Sequence, residues 1–487
     1  MKTRLPLSAA ALPLLTGLAA FAAVCWRLGT PSLWRDEAVT AELAGRSLPQ
    51  LARVLGEIDA VHAAYYVLMQ GWTAVAGDSV IALRLPSALA AAVAAGLTAA
   101  LGRELASPRA GVIAGLLVAA SPFVARHAQE ARQYALVMAL AVLATWLLLR
   151  VGSRIGWAWY AVAVVLLGAA HLFSLLLLPA HLITVLLTRR ADWRSWVVAT
   201  GAALVPLAGL AYVAAGQRYQ VGWITEPTWK NVSNLLEGLG WGPYFMAPAL
   251  LLAVYAVARR SPVAAVAVPW LVLPPVLLLG VSLASPLYVQ RYLLFCLPAA
   301  ALLVAAGLDL LPWRPLAYAG LAAAVLAAGP ANLDVRRQQA RVDDLRTLAD
   351  VVTEHRQKGD GLVFTDVRFR PLLATYPTAW EGLPDVLLRR SPVRTGDLKG
   401  AEIAKAAYPD ALAPYARVWL VDNRVAFLPG SKAAAPAKRA ALDEAGLTLV
   451  REWKYKGGKV GLYERTGPPA ELPELHERTA VPPAADQ

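Results

Sequence analysis

Long apolar runs recur along the first two-thirds of this chain and constrain its fold more than any other feature. Runs of roughly 15 to 22 residues follow one another from Leu5 to Pro330, and a helix needs about 20 apolar residues to cross roughly 30 Å of membrane hydrocarbon. The chain is 58% hydrophobic and only 16% charged, whereas soluble domains carry about 25% charged residues. The pattern predicts an α-helical polytopic membrane protein with about eleven transmembrane helices.

After these runs the sequence becomes charged and mixed, which predicts a separate water-soluble domain. We predict a transmembrane domain over 1–332, with interfacial helices in an outer loop over 27–79, and a soluble α/β domain over 333–487. Within the latter, "GLVFT" and "RVWLVDN" are typical of buried strands, and "LTLVREWKYKGGKVGLYERT" predicts a hairpin that turns at Gly457 and Gly458. "VDDLRTLADVVTEHRQKG" has a helical period.

The net charge of +13 does not indicate a nucleic-acid partner, because much of it lies in short loops between apolar runs. Basic residues that mark one side of the membrane begin with Lys2 and Arg4 and recur in every second loop. By the positive-inside rule the N-terminus is cytoplasmic. An odd number of spans then makes the C-terminal domain extracytoplasmic. The two cysteines, Cys25 and Cys296, lie in or beside apolar runs and suggest packing rather than a disulfide.

Two adjacent acids, Asp36 and Glu37, follow the first apolar run in "LWRDEAVTAEL". One interpretation is structural: Asp36 caps a helix that starts at Glu37. The other is catalytic, since a carboxylate in the first outer loop can serve as a base. This segment alone favours neither. If a helix continues through both residues, their side chains diverge by about 100°, and Glu37 then holds an arginine or supports the loop.

Further polar groups crowd two other outer loops and the segment after Asp36. Arg126, Glu130 and Tyr134 lie at helical spacing within "SPFVARHAQEARQYAL". Either an ordinary helix ion pair or a functional cluster explains these residues. "SPLYVQRYLLF" contributes Arg291, which either extends to lipid head groups or faces a site. Lipid contact is also one interpretation of Arg84. For His62, one interpretation is packing at the membrane interface. We treat His171 and His181, which lie in apolar segments, as structural.

Three separate loops thus deliver an acid and several arginines to the same predicted membrane face. Guanidinium groups match phosphate geometry, so the arrangement indicates an anionic, lipid-linked substrate. The alternative function is a polytopic transporter or flippase for a lipid-linked or cell-envelope substrate. It is disfavoured because the polar clusters lie at one face and we find no inverted repeat.

These motifs, in this order, resemble the GT-C superfamily of polytopic glycosyltransferases. "DEA" after the first span, "HAAYY" followed by "ALRLPS", then "QEARQYAL" and "RYLLF" are similar to the bacterial protein O-mannosyltransferase and lipid A aminoarabinose transferase kind. The resemblance covers roughly 5–330. One departure is "HAAYY", where relatives often carry a proline-rich "HPPLYY", and this change weakens the inference about His62.

The resemblance implies an inverting transfer of a sugar from a polyprenyl-phosphate-linked donor to an acceptor hydroxyl on a protein, lipid or glycan. Mannose is the favoured sugar, and a pentose is the alternative. The expected location is the extracytoplasmic face of a bacterial plasma membrane. No cofactor is required, and a divalent metal is compatible with the family but not indicated by any dense acid cluster. The implied site residues are catalytic Asp36 and Glu37; donor-phosphate Arg126, Glu130, Arg132, Tyr134, Arg291 and Tyr292; and substrate-contacting His62, Tyr65 and Arg84.

Overall fold

The computed structural model describes residues 11–423 and 435–467. The chain forms two units, Met1–Val342 and Asp343–Gln487. Lys2 and Arg4, which entered the orientation argument, lie outside the described residues, as do the start of the first predicted span and the end of the C-terminal domain.

The described part of the first unit is helical. Its α-helices are α1 (Ala11–Cys25), α2 (Arg35–Ala44), α3 (Leu48–Glu57), α4 (Ala63–Ala76), α5 (Val80–Leu105), α6 (Pro108–Ala120), α7 (Pro122–Ala128), α8 (Tyr134–Arg150), α9 (Arg154–Ala170), α10 (Leu177–Thr188), α11 (Trp193–Gly216), α12 (Trp229–Leu239), α13 (Pro243–Ala258), α14 (Ala264–Ser282), α15 (Leu297–Asp309) and α16 (Arg314–Asp334). Short 3₁₀ segments at Ala60–His62, Leu172–Leu176 and Gln290–Cys296 interrupt the series.

Several of these helices are long and apolar enough to cross a membrane. Among the described residues, five helices meet this test, and up to seven spans result if the bent pairs α6–α7 and α12–α13 each count as one. Four further apolar segments of 10–17 residues complete the set. The chain is therefore a multi-pass membrane protein, while the count of about eleven spans stays a prediction. The helices expected over "LPQLARVLGEI" and "AAYYVLMQGWTAV" are present as α3 and α4, and their location in an outer loop stays a prediction.

Serine and proline start the helices that lead to the polar segment after α7. Ser107 and Ser121 accept hydrogen bonds from the backbone N–H groups of Ala110 and Val124, and a proline follows each serine. Such Ser-Pro pairs favour a helix start. Because Ser121 has an extended backbone, α6 ends there and α7 departs at 62°. Helix α7 then ends at Ala128, just before the polar segment.

The second unit contains the predicted small mixed sheet. Its helices are α17 (Leu345–His355), α18 (Pro392–Thr395), α19 (Tyr408–Leu412) and α20 (Ala435–Glu444), and its strands are β1 (Gly361–Phe364), β2 (Leu388–Arg390), β3 (Ala401–Glu402), β4 (Arg417–Asn423), β5 (Leu447–Tyr455) and β6 (Gly458–Arg465). The main sheet has the order β1-β4-β6-β5, with β1 and β4 parallel and the other pairs antiparallel. The two buried strands, the β5–β6 hairpin and the first helix were all predicted correctly.

Small residues let α5 and α6 approach closely, as is typical of membrane helix pairs. A Cβ added to Gly102 would lie 2.9 Å from Gly111 Cα, and one added to Gly111 would lie 2.7 Å from Arg103 N. Backbone atoms cannot move aside as a flexible side chain can. This pair of glycines therefore fixes the distance between the two helices.

We predict that Gly111→Val destabilises the protein by about 1–3 kcal/mol, since the added methyl groups overlap the α5 backbone. The control is Gly201→Ala in α11, where an added Cβ meets nothing within 4 Å and alanine favours the helix. Thermal unfolding in detergent measures both. Equal melting temperatures for the two variants would contradict the close packing.

Candidate active site

Helix α2 begins two residues earlier than the capping interpretation requires. It starts at Arg35 after Trp34, and no side chain caps it. Asp36 therefore occupies the first turn, so the idea that it caps a helix at Glu37 is wrong. Its side chain is 24% exposed, whereas that of Glu37 is fully buried. Neighbouring carboxylates thus occupy different environments.

Glu37 forms a buried ion pair with Arg84 of α5. Nε and one terminal nitrogen of Arg84 each donate to Glu37 at 2.8 Å, and both side chains are 0% exposed. Arg84 also donates to the carbonyls of Leu28, Pro31 and Ser32. This confirms that Glu37 holds an arginine and shows that the lipid-contact interpretation of Arg84 is wrong. The burial of Arg84 also argues against its predicted substrate contact, because its guanidinium is enclosed by protein.

The same pair anchors the segment between α7 and α8. The backbone N–H of Ala131 donates to Glu37 at 2.9 Å, and Thr40 Oγ1 donates to the Ala131 carbonyl at 2.9 Å. Because the chain leaves helical geometry over 129–133, Glu130 and Tyr134 do not share one continuous helix with Arg126, contrary to the spacing argument. The turn instead presents successive side chains to different neighbours.

Glu130 is the centre of a buried cluster on this segment. Its carboxylate lies 3.0 Å from His127 Nδ1, 3.3 Å from Arg341 Nε and 3.5 Å from Arg126. Burial alone would raise the pKa of Glu130, but His127 and the two arginines lower it below its usual range. Arg126 also donates to the carbonyl of Ala340 at 3.0 Å. These contacts support the expectation that Glu130 organises the site, whereas a phosphate-binding role for Arg126 stays a prediction.

Arg291 brings the third predicted loop to Asp36. It lies on the 3₁₀ segment Gln290–Cys296, and its guanidinium is 3.7 Å from Asp36 Oδ2, with side-chain exposures of 23% and 24%. Arg291 Nε donates to the Tyr134 hydroxyl at 2.8 Å. The rings of Trp34, Tyr134, Trp223 and Tyr292 lie 5.5–6.0 Å from its Cζ. An arginine held by aromatic rings thus faces a partly exposed carboxylate.

Arg132 reaches Asp36 from the other side. It contacts the Asp36 carbonyl at 3.4 Å and the Tyr66 hydroxyl at 3.3 Å, and Tyr66 in turn donates to Asp59 at 3.0 Å. Burial raises the pKa of Asp59, although Arg132 and Tyr66 oppose this effect. Arg132 is 5% exposed, and its Nε has no partner among the described residues.

The α4 region supplies the predicted substrate contacts. His62 Nδ1 lies 2.6 Å from the side-chain nitrogen of Gln133, and burial together with the charge of Arg132 keeps the pKa of His62 well below its usual range. Tyr65 is buried, and its hydroxyl lies 3.5 Å from Ser87 Oγ. Both residues are therefore next to the polar segment, and their contact with substrate stays a prediction.

Sequence reasoning missed three residues here. Arg341 follows the last apolar run, and Asp59 lies in a loop without a motif, so no local signal marks either. His171 was expected to be structural, but its ring lies 4.6 Å from that of Tyr292. His181, by contrast, is structural as predicted, because it hydrogen-bonds Thr145 and Tyr160.

Comparisons with known proteins concern the family and the fold. Residues 63–215 match the family model described as dolichyl-phosphate-mannose-protein mannosyltransferase. Two crystal structures of ArnT from Cupriavidus metallidurans, one in the apo state and one bound to undecaprenyl phosphate, are similar at 14% identity, with TM-scores of 0.61 and 0.63, over 92% of this chain and 97% of theirs. An oligosaccharyltransferase from Archaeoglobus fulgidus, in complex with Zn and sulfate, is similar at 11% identity and a TM-score of 0.52, over 94% of this chain and 73% of that one. No curated protein sequence matches.

Residues 63–215 are therefore similar to a mannosyltransferase family, and the fold of the chain is similar to that of ArnT. The family model covers α4 to α11, which include Arg84, the polar segment and the start of α8. The ArnT-like fold extends over nearly the whole chain. These similarities favour the glycosyltransferase hypothesis over the transporter hypothesis. The resemblance predicted from "DEA", "QEARQYAL" and "RYLLF" is confirmed.

We predict that Arg84→Met destabilises the protein by about 3–5 kcal/mol, since it leaves the Glu37 carboxylate buried without its counter-charge. The double variant Glu37→Gln with Arg84→Met should recover part of this loss, because no buried charge remains. The control is Arg150→Ala, which breaks a half-exposed pair with Glu104 and should cost less than about 1 kcal/mol. Thermal unfolding in detergent measures all three, and a double variant no more stable than Arg84→Met would contradict the buried pair.

Proposed function

We propose that the protein transfers a sugar from a polyprenyl-phosphate-linked donor to an acceptor hydroxyl, with inversion at the anomeric carbon and Asp36 as the base. Mannose is the favoured sugar, because the matching family model is described by a mannose donor. A polyprenyl phosphate is the favoured carrier, because one similar structure holds undecaprenyl phosphate. The acceptor is a hydroxyl of a protein, a lipid or a glycan.

The contact between Asp36 and Arg291 carries this proposal. The two side chains lie 3.7 Å apart and both are about one-quarter exposed, so a substrate can reach them. The Glu37–Arg84 pair, by contrast, is fully enclosed by protein and out of reach of a substrate. An accessible carboxylate beside an accessible guanidinium instead suits a reaction in which one group takes a proton and the other binds an anion.

Arg291 and Arg132 are the proposed ligands of the donor phosphate. Both guanidiniums lie against Asp36, one at its carboxylate and one at its carbonyl. Tyr134 orients Arg291 through its hydroxyl, and Tyr66 orients Arg132. Pre-oriented cations next to a departing phosphate stabilise its charge without rearrangement during the reaction. Tyr292 contributes a ring beside Arg291.

The proposed step needs one acid only. The acceptor O–H gives its proton to the Asp36 carboxylate while its oxygen forms a bond to the anomeric carbon. The bond from that carbon to the phosphate oxygen breaks, and the lipid phosphate leaves as an anion held by the arginines. Since phosphate is already a good leaving group, no second carboxyl must protonate it, unlike the pair used by most glycosidases. A carboxylate is a weak base, so proton transfer is concerted with attack.

We further propose that Glu37 and Arg84 position the base and do not touch substrate. The Glu37 carboxylate is enclosed by protein and bound to Arg84 and to the backbone of Ala131. The arginines supply the charge that a metal provides in other transferases, and within 11–423 and 435–467 no group of three or more His, Cys, Asp or Glu residues is placed to hold a metal ion. We therefore propose that the reaction requires no metal, while a divalent metal stays compatible with the resemblance.

The membrane arrangement is also a proposal. The five long helices, the two bent pairs and the four shorter apolar segments would together give the eleven spans expected from the sequence. With the N-terminus cytoplasmic, α2 and the C-terminal domain are extracytoplasmic. The site then faces the side of a bacterial plasma membrane on which lipid-linked sugars meet cell-envelope acceptors.

We predict that Asp36→Asn lowers the rate of sugar transfer at least ~100-fold, since general-base catalysis contributes about 10²–10⁴-fold. Donor binding should persist, because both arginines remain. Transfer from polyprenyl-phosphate-mannose in proteoliposomes, and from a pentose donor in parallel, measures the rate. Asp78→Asn, an exposed acid just before α5, is the control. Transfer by Asp36→Asn at the rate of this control would remove Asp36 as the base.

A further inference from the structure

Two buried histidines of the membrane unit differ sharply in their partners. His181 is 2% exposed, and its Nε2 and Nδ1 lie 3.0 Å from Thr145 Oγ1 and 2.9 Å from the Tyr160 hydroxyl. His171 is 6% exposed, yet its Nδ1 has no hydrogen-bond partner among the described residues. A buried polar group without a partner is costly. The contrast suggests that His171 has a partner that is not part of the described chain.

His171 lies in the wall of the candidate active site. It separates α9 from the 3₁₀ segment Leu172–Leu176 and has an extended backbone. Its ring lies 4.6 Å from that of Tyr292, 5.7 Å from that of Phe173 and 6.0 Å from that of Tyr134. Tyr134 and Tyr292 are also the rings that contact Arg291. The imidazole of His171 and the guanidinium of Arg291, the proposed phosphate ligand, therefore neighbour the same two tyrosine rings.

Other atoms around the Asp36–Arg291 contact share this lack of partners. Trp34 Nε1, Arg132 Nε and Gln133 Oε1 are buried and make no hydrogen bond with any described residue. Trp34 flanks Arg291, Arg132 contacts the Asp36 carbonyl, and Gln133 is bound to His62. Donors and acceptors that converge on one place without partners are expected where a polar ligand binds.

We propose that His171 is a specificity-determining residue that hydrogen-bonds a hydroxyl of the transferred sugar. This inference rests on the proposed function. A hydroxyl is favoured over the phosphate because imidazole adds no charge here: burial and the nearby Arg291 and Arg132 keep the pKa of His171 well below its usual range. A neutral imidazole both donates and accepts, as a hydroxyl does. Phosphate recognition is already served by the two guanidiniums.

The aromatic surroundings fit the same ligand. Phe173 and Tyr292 are nearly parallel, with ring centroids 5.4 Å apart and an interplanar angle of 27°, and His171 adjoins both. A mostly apolar wall with one well-placed polar group is the usual composition of a small-molecule site. Such a group discriminates strongly, because a sugar that lacks the matching hydroxyl leaves the buried imidazole unpaired.

The test compares two lipids that differ only in the sugar. Binding of polyprenyl-phosphate-mannose, with a pentose donor in parallel, and of sugar-free polyprenyl phosphate is measured for the wild type and His171→Phe, which keeps an aromatic ring but no nitrogen. We expect about tenfold weaker binding of the sugar-linked lipid, the usual effect of one lost hydrogen bond, and unchanged binding of the sugar-free lipid. His171→Asn or His171→Gln, whose amides replace Nδ1 or Nε2, should restore part of the affinity.

Controls separate this inference from its premises. His181→Phe removes an equally buried imidazole outside the site, and should lower thermal stability without a selective loss of sugar-linked lipid. Deoxy-sugar donors identify the hydroxyl. The donor that lacks this hydroxyl should bind the wild type more weakly than the full donor does, whereas His171→Phe should bind both donors equally well. Equal losses for both lipids, or a loss for neither, would overturn the role of His171. A wild type that binds neither lipid would instead contradict the proposed function and this inference with it.

Discussion

The buried ion pair between Glu37 and Arg84 is the interaction on which the candidate site depends. Its two charges have no exposed surface, so each requires the other and the surrounding hydrogen bonds. Arg84 binds the carbonyls that precede α2, and Glu37 binds the backbone at Ala131. One pair thus joins the start of α2, the helix α5 and the polar turn after α7. The position of Asp36 follows from that junction.

The two adjacent acids differ in their roles, since Glu37 is structural and Asp36 is the proposed base. Helical geometry turns neighbouring side chains about 100° apart, so Glu37 points into the protein while Asp36 remains partly exposed beside Arg291. Glu130 repeats the structural pattern, because it is buried and held by His127 and Arg341. The enclosed carboxylates fix backbone segments, whereas the partly exposed Asp36 is available to a substrate.

Much of the fold could be predicted from local sequence. Apolar runs, the strand "RVWLVDN" and the glycines of the β5–β6 hairpin carry their signal within a few residues, and the structure has the corresponding elements. The approach of Asp36, Arg132 and Arg291 was also expected, because each lies in a loop at the same predicted membrane face. Contacts between distant segments were harder to predict from the sequence. Arg84 sits in an apolar helix and gives no hint of its partner 47 residues earlier, and Arg341 reaches Glu130 from 211 residues away.

His171 shows why chemistry can be hidden in an apolar segment. Its neighbours in sequence are alanine and leucine, as are those of a packing residue, and His181 has the same appearance. Only the three-dimensional arrangement distinguishes them, since one imidazole has two hydrogen-bonding neighbours and the other has an unpaired nitrogen beside the ring of Tyr292. Partners of a buried polar group are therefore more informative than its sequence context.

The central claim is that Asp36, Arg132 and Arg291 surround the reacting end of a lipid phosphate. The most direct measurement is an experimental structure of the full chain in a lipid nanodisc with polyprenyl phosphate bound. We predict a phosphate within hydrogen-bonding distance of Arg291 and Arg132, and an Asp36 carboxylate that has separated from Arg291 and borders the same space. A phosphate bound elsewhere in the membrane unit, with the Asp36–Arg291 contact unchanged, would contradict it.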